Sequence, residues 1–546
     1  MTSAASDIPA ALDSAHVGDI RGALGTIAVD DVAGRRSASA KLKTLLAIVG
    51  PGLIVMVGDN DAGAFSTYGQ AGQNYGTHLL WTFVLLIPVL YVNQEMVLRL
   101  GAVTGVGHAR LILERFGRFW GAFSVIDLFL LNALTIITEF IGITLAAGYL
   151  GVPKIVAVLF AAGVIIASAM TGSFRRFERI AMIFCAGSLL LIPVYLMAHP
   201  PGSQMASGFV LPSVPGGSGQ LGTVMLLIIG IVGTTVAPWQ LFFQQSYVID
   251  KRITPRFIPY EKADLVIGIG IVIVGGAALM GAAAAAFAGT AGAGHYTDAA
   301  GLAAGLSAYA GKAAGALFAV ALLDAAMIGA FAVSLSTAYA LGDVLGLKHS
   351  LHRGIRHAKG FYVMYAALIG GAAAIVLIPG SPLGLFTEGV QVLAGVLLPS
   401  ATVFLLMLCN DRAVLGPWVN KRATNAFAAV VIALLIMLSL VLISSVVIPH
   451  ITSHQILLIM AGYGGLALVA VAGLLLHGRA SAADGAAQDG SADAESRDNW
   501  RMPALAMLAP APMSAARRLG MAGMWVYLVI AMSAVVFRIV QAATGH

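Results

Sequence analysis

Apolar residues occupy this chain in long blocks, separated by short polar and basic stretches. The blocks are apolar all round, the pattern of helices surrounded by lipid or by other helices. Most extend for about 20 residues or more, enough to cross a ~30 Å hydrocarbon core. They predict spans over 44–72, 78–100, 121–150, 154–172, 180–198, 221–248, 263–289, 313–344, 361–380, 386–409, 425–448 and 456–477. A thirteenth, 519–541, follows a linker at 478–518 rich in Ala, Ser, Gly and Asp. The alternating segments of about 10 residues that mark a membrane β-barrel are not visible. The fold class is therefore an all-α polytopic membrane protein.

The connections sort by charge. Seventeen basic residues fall in the even connections, from Arg110, Arg115 and Arg118 to Arg412, Lys421 and Arg422, against Lys154 and Lys312 in the odd ones. The positive-inside rule then places the N-terminus and the even loops in the cytoplasm of a cell whose inner or plasma membrane holds the chain. Residues 1–43 lack the compact apolar stretch of a cleavable signal and read as a disordered cytoplasmic arm ending in Lys41-Leu42-Lys43.

Composition narrows the class further. Apolar residues make up 59% and charged residues 10%, with mean hydropathy +0.90, where soluble domains carry about 25% charged residues. The net charge of +6 sits in loops, as topology requires, so it implies a lipid bilayer as partner and no nucleic acid. Cys185 and Cys409 both fall within spans and offer no disulfide framework. No nucleotide fingerprint or Ser/His/Asp arrangement is present, and the reading is a non-enzyme without a cofactor.

Two spans are broken. Span 1 carries Gly58-Asp59-Asn60-Asp61-Ala62-Gly63-Ala64 inside an apolar run, and span 6 carries Gly233-Thr234-Thr235-Val236-Ala237-Pro238-Trp239-Gln240. Interrupted helices at matching places in two halves point to a transporter built from inverted repeats. The halves would be 44–198 and 221–409, followed by helices at 425–477. Asp61 is the strongest candidate ligand, because an acid near the bilayer centre costs roughly 2.5–3.5 kcal/mol and persists where it serves a cavity or a cation. Capping the resumed helix is the alternative, and the two roles are compatible. Glu139 in span 3 and Asp324 in span 8 are further intramembrane acids, carrying protons or holding structure. Gln240, Gln244, Gln245 and Gln391 read as interhelical packing groups. His78, His199, His450 and His454 form no metal-spaced cluster, and Glu95 with Arg99 reads as a local salt bridge.

Gly50-Pro51-Gly52, Asp61-Ala62-Gly63-Ala64-Phe65-Ser66-Thr67, Gln70-Ala71-Gly72 and Tyr75-Gly76 resemble the NRAMP family of divalent-metal transporters. So do Leu100-Gly101-Ala102-Val103-Thr104-Gly105, Thr138-Glu139-Phe140-Ile141-Gly142, Thr235-Val236-Ala237-Pro238, and Gln391-Val392 through Leu398-Pro399. The resemblance implies a LeuT-type fold of two inverted five-helix repeats with broken helices 1 and 6. It also lifts Gln391 to a candidate ligand. The departures carry a direction. The family's Asp-Pro-Gly-Asn is here Asp61-Ala62-Gly63-Ala64, its Met-Pro-His is Ala237-Pro238-Trp239, and the aspartate three residues before Glu139 is Ile136.

Loss of a thioether and an amide ligand favours a hard, hydrated ion over a soft transition metal. The pattern resembles a subgroup of NRAMP-related magnesium transporters, described as moving the ion without proton coupling. The expectation is a carrier of Mg2+, and secondarily Mn2+, working by alternating access. Asp61 would be the main ligand, joined by the Thr234 carbonyl, Gln391, and Asp59 or Asn60, with Ala64, Ala237 and Trp239 shaping the cavity. A proton-coupled Mn2+ or Fe2+ importer, an organic-solute carrier of the same fold and a non-transporting sensor are the alternatives. Oligomeric state stays open.

Overall fold

The computed structural model describes residues 13–215, 217–381, 383–448, 451–466, 494–508 and 520–530, with a few isolated positions beyond. Eight of the described helices are long and apolar enough to cross a membrane, or ten if each of two bent pairs counts as one span.

The first such path is segmented. Helix α1 (Ala38–Ile48) meets α2 (Pro51–Val57) at a 53° bend, and α3 (Ala62–Tyr75) resumes beyond residues 58–61. Then come α4 (Trp81–Thr104), the short α5 (His108–Phe116), α6 (Arg118–Tyr149) and α7 (Lys154–Ala169). Helices α8 (Phe174–Gly187) and α9 (Leu191–Ala198) together make one span, joined by a 3-10 turn. After α10 (Gly202–Val210), the second broken path runs through α11 (Gly217–Thr235) and α12 (Pro238–Asp250). It is followed by α13 (Ile258–Phe287), α14 (Ala299–Ala310), α15 (Lys312–Leu345), α16 (Lys359–Leu377) and α17 (Leu383–Cys409). Beyond α18 (Arg412–Leu415), α19 (Arg422–Val447) closes the continuously described bundle. Of the expected twelfth and thirteenth spans, helix is described at 453–466 and 520–530, and the rest lies outside the described residues.

Small residues set the packing. Helix α2 is buried at all seven positions and lies against α13. A Cβ at Gly268 of α13 would stand 2.8 Å from the Gly52 carbonyl oxygen, and one at Gly72 of α3 would stand 2.3 Å from the Met280 carbonyl oxygen. Such close backbone approach is how helices associate where burial from water gives no driving force between them. Charges near the end of α4 are paired: Arg99 meets Glu95 at 3.1 Å, and Lys262 reaches the same carboxylate at 2.8 Å.

The stretch expected as a disordered arm is fixed from residue 13 onward. It holds a 3-10 turn at Ser14–His16, an antiparallel pair of two-residue strands, β1 (Ile20–Arg21) and β2 (Thr26–Ile27), and the first turns of α1. Composition misled here, because the arm is held by side chains of α8 and of distant loops and not by a core of its own.

Candidate functional site

The first break follows from its sequence. Gly58, Asp59 and Asn60 turn the chain through i to i+3 contacts: the Asp59 amide donates to the Met56 carbonyl at 3.2 Å and the Asn60 amide to Val57 at 3.1 Å. Asp61 then starts α3 in extended backbone, its carboxylate accepting the Ala64 amide at 2.9 Å. An aspartate there satisfies one of the free amides of a new helix. In the second break α11 stops at Thr235, and Pro238 opens α12 in the first-turn position proline favours. Proline has no amide hydrogen, so the Thr234 carbonyl has no i+4 donor.

Between the breaks lies a cavity lined by Asp61 and Gly63 of the first path, Gly230, Gly233, Thr234, Ala237 and Trp239 of the second, and Thr135, Thr138 and Glu139 of α6, with apolar side chains closing it. It offers about 40 Å3 to water centres, enough for about three waters. Thr138 also lines a larger vestibule of about 560 Å3 bounded by Ser66, Gln70, Tyr296, Asp298 and Thr387. The Asp61 cavity and this larger space thus share Thr138, on the α14 side of the bundle.

The lining has one sign. Asp61 and Glu139 line the cavity side by side; Glu139 accepts the Ala62 amide at 3.1 Å through one oxygen, and its second oxygen has no partner. No lysine or arginine is among the lining residues. Gly329 of α15 makes room for the pair, since a Cβ there would stand 2.7 Å from the Glu139 carboxyl carbon and 2.9 Å from Asp61 Cβ. The α11 C-terminus contributes partial negative charge to the same space. Thr135 and Thr138 donate back to the Leu131 and Leu134 carbonyls at 2.9 and 3.2 Å, which leaves each hydroxyl oxygen free to accept.

Other expected residues stand elsewhere. Asp59 is fully buried behind the break, where Gln240 donates to it and Gln94 donates to Gln240 at 2.9 Å. Asn60 turns to α13 and donates to the Val272 carbonyl at 3.2 Å. Neither lines the cavity, because each polar side chain answers a need of the neighbouring helix. Ala64 gives its amide to Asp61 and is not in the lining. Asp324 points to α8, where a Cβ at Gly187 would overlap its carboxylate at 2.2 Å, so it does not join Glu139. The Gln391 side chain lies outside the described residues. Trp239, 1% exposed, packs its ring edge over Gly58, where a Cβ would stand 3.3 Å away. The residues that sequence reading missed are Thr135 and Thr138. Their signal was present: Leu131, Thr135 and Thr138 recur at helical spacing on the Glu139 side of α6. Among the described residues no group of three or more His, Cys, Asp or Glu side chains converges as a ready-made metal centre.

Two broken helices facing one acidic cavity, inside a polytopic helical bundle, define a carrier of the LeuT type. Residues 52–445 match the family model described as natural resistance-associated macrophage protein-like. The divalent metal cation transporter MntH of Ralstonia nicotianae is 30% identical over 406 residues, covering 71% of this chain and 88% of that protein. MntH 1 of Pseudomonas aeruginosa is 29% identical over 409 residues, covering 71% and 89%. A solved structure of the Eremococcus coleocola manganese transporter, bound to an aromatic bis-isothiourea compound, superposes with TM-score 0.60 at 20% identity, covering 84% of this chain and 97% of that one. The chain belongs to the Nramp family and is a membrane transporter, not an enzyme.

Proposed function

We propose that this chain moves a divalent cation, Mg2+ in preference and Mn2+ secondarily, by alternating access and without obligatory proton coupling. The observation that carries the reading is the pairing of Asp61 with Glu139 on a cavity whose lining has no basic side chain. Two neighbouring carboxylates away from bulk water need compensating charge, and one dication supplies it.

The preference for a hydrated ion rests on what lines the rest of the space. Threonine hydroxyls, the Thr234 carbonyl and retained waters are hard oxygen donors, and no methionine sulfur is in the lining. Magnesium holds its waters and binds through one or two carboxylates, whereas a thioether favours softer metals. Ala237 stands where the family resemblance places that thioether. The ligand set proposed is therefore Asp61, Thr234 and Thr138, with Gln391 from α17, while Glu139 supports Asp61 as a structural acid. The drive is the ion gradient with the membrane potential, which contributes about 2.3 kcal/mol per charge per 100 mV. The same reading sets the chain in the inner membrane with its N-terminus in the cytoplasm, on the strength of the basic connections.

One observation favours a second reading. The unpartnered oxygen of Glu139 beside Asp61 is placed to exchange a proton when the cation arrives, as a proton-coupled Mn2+ carrier would require. Proteoliposome uptake of Mg2+ and Mn2+ with and without a pH gradient separates the two. Proton entry in step with metal would replace the uncoupled reading.

A further inference from the structure

The family match begins at residue 52, yet the segment before it is tied to the bundle by a dense set of directed bonds. Asp13 accepts Arg353 Nε at 2.9 Å and the His349 amide at 3.1 Å. Arg252 donates to the carbonyls of Ala15 and Asp19 at 2.9 and 3.1 Å. In the turn between β1 and β2, the Ala23 amide donates to Glu178 at 2.5 Å, while Arg175 and Arg179 donate to the carbonyls of Gly22 and Ala23, each at 3.1 Å. Arg256 holds the Asp31 carbonyl at 2.6 Å. The arm thus bridges α8 of the first repeat with the α12–α13 and α15–α16 connections of the second.

What the arm presses on decides its role. Gly22 and Gly25 lie directly on α1: a Cβ at Gly22 would stand 2.1 Å from the Ala47 carbonyl oxygen, and one at Gly25 would stand 2.9 Å from Ala47 Cβ. Helix α1 leads into α2, and α2 leads into the Gly58–Asp61 break. Glu178 serves both layers, because it accepts from Ala23 of the arm and from Lys251 Nζ at 2.6 Å, and Lys251 in turn donates to the Val49 carbonyl at 2.8 Å. Asp264 completes the junction by accepting the amides of Gly50 and Gly52 at 3.1 and 2.7 Å. This end of the bundle is shut, with Asp59, Gln240, Gln244 and Lys251 all 0% exposed.

We propose that residues 13–33 form an intramolecular latch: docked, the arm holds α1 and α2 against α8 and α13, and this end of the bundle opens only when the arm lets go. The latch needs no contact with the cavity, because it acts on the helix that ends in Gly58.

The test reads opening directly, without metal, so its outcome is independent of which ion the cavity takes. In purified protein with Cys185→Ser and Cys409→Ser, a Gln244→Cys substitution places a thiol at a buried position on α12. Its alkylation by a water-soluble maleimide reports opening at the α2 end. Deletion of residues 2–33, or Asp13→Arg alone, is expected to raise the alkylation rate roughly tenfold, within the usual range of coupling between two states. Adding Arg353→Asp to Asp13→Arg is expected to bring the rate part of the way back, because the ion pair re-forms with charges exchanged while the His349 amide stays without its acceptor. Should the deletion fail to fold, the Asp13→Arg and Arg353→Asp pair decides alone. Unchanged alkylation in Asp13→Arg, or no restoration by Arg353→Asp, would overturn the latch.

Discussion

Asp61 caps α3 and faces the cavity, and replacement by asparagine separates those roles. The asparagine side-chain oxygen can still accept the Ala64 amide, now at 2.9 Å, and asparagine is as good a cap as aspartate. Stability is therefore expected to fall by less than about 1 kcal/mol. Binding is expected to suffer far more. A unit charge and a dication about 4 Å apart attract by roughly 8 kcal/mol at an effective dielectric of 20. Desolvation offsets much of that gross figure, and truncation of one partner in a buried charge pair costs about 2–5 kcal/mol in measured cases. Affinity for Mg2+ should drop by roughly 30-fold to more than 1,000-fold. Calorimetric titration of purified Asp61→Asn beside the unsubstituted protein, with thermal unfolding of both, measures the two roles independently. Asp61→Ala should show the same loss of affinity plus about 1 kcal/mol of lost cap stability. Normal Mg2+ affinity in Asp61→Asn would refute the reasoning, since the carboxylate would then be a cap and nothing more.

Further expectations follow from single contacts. Ala237→Met returns a soft donor to the lining and is expected to shift Mn2+ over Mg2+ selectivity upward by roughly tenfold, read from competition between the two ions in uptake. Lys251→Met leaves the fully buried Glu178 without the cation 2.6 Å away and should destabilise the protein by about 3–5 kcal/mol in denaturation, with the Glu178→Gln, Lys251→Met double variant partly restored. Docking of the arm should depend on pH. Burial lowers the His16 imidazole from 6.5, against the opposing pull of Asp250 on α12, Asp13 on the arm and Asp343 on α15, and with the like charge of His349 acting in the same direction as burial. Docking thus favours the neutral His16 ring, and its contribution is present above pH 6.5 and lost as pH falls below it. Burial also lowers His349, but the Asp343 carboxylate 2.9 Å away more than offsets it and raises His349 to about 9; both residues belong to the bundle, so this pair adds no pH dependence to docking. Protection of the amides at 13–33 from hydrogen exchange, relative to their intrinsic rates, should be higher above pH 6.5 than below it, and protection that stays flat across pH 5–8 would contradict the sign worked here.

The helices were legible because lipid imposes a coarse rule: an uncharged apolar run of span length has few alternatives to a helix. The breaks were legible for a related reason, since glycine, adjacent polar residues and proline inside such a run have no ordinary place. Asp61 could be read as both cap and cavity residue because either role needs an acid at a helix restart. The direction in which Asp59 and Asn60 point was not legible. Three consecutive polar residues on a turn face three different neighbours, and only the positions of α12 and α13 decide which one meets the cavity. Thr135 and Thr138 were hidden for another reason: threonine in a membrane helix usually bonds its own backbone, as both do here, and the lone pair left over is invisible without the cavity. The arm was misread because its order depends on Asp13, Gly22 and Ala23 meeting residues 153 to 340 positions away.

The central claim is that this acidic cavity passes a hydrated dication down its own gradient. Mg2+ entry into proteoliposomes, followed with a trapped Mg2+ indicator and a trapped pH indicator under an inside-negative potential, tests it most directly. The account predicts saturable Mg2+ entry, abolished by Asp61→Ala, with no acidification of the interior. Absence of Mg2+ entry while Mn2+ crosses together with protons would contradict it.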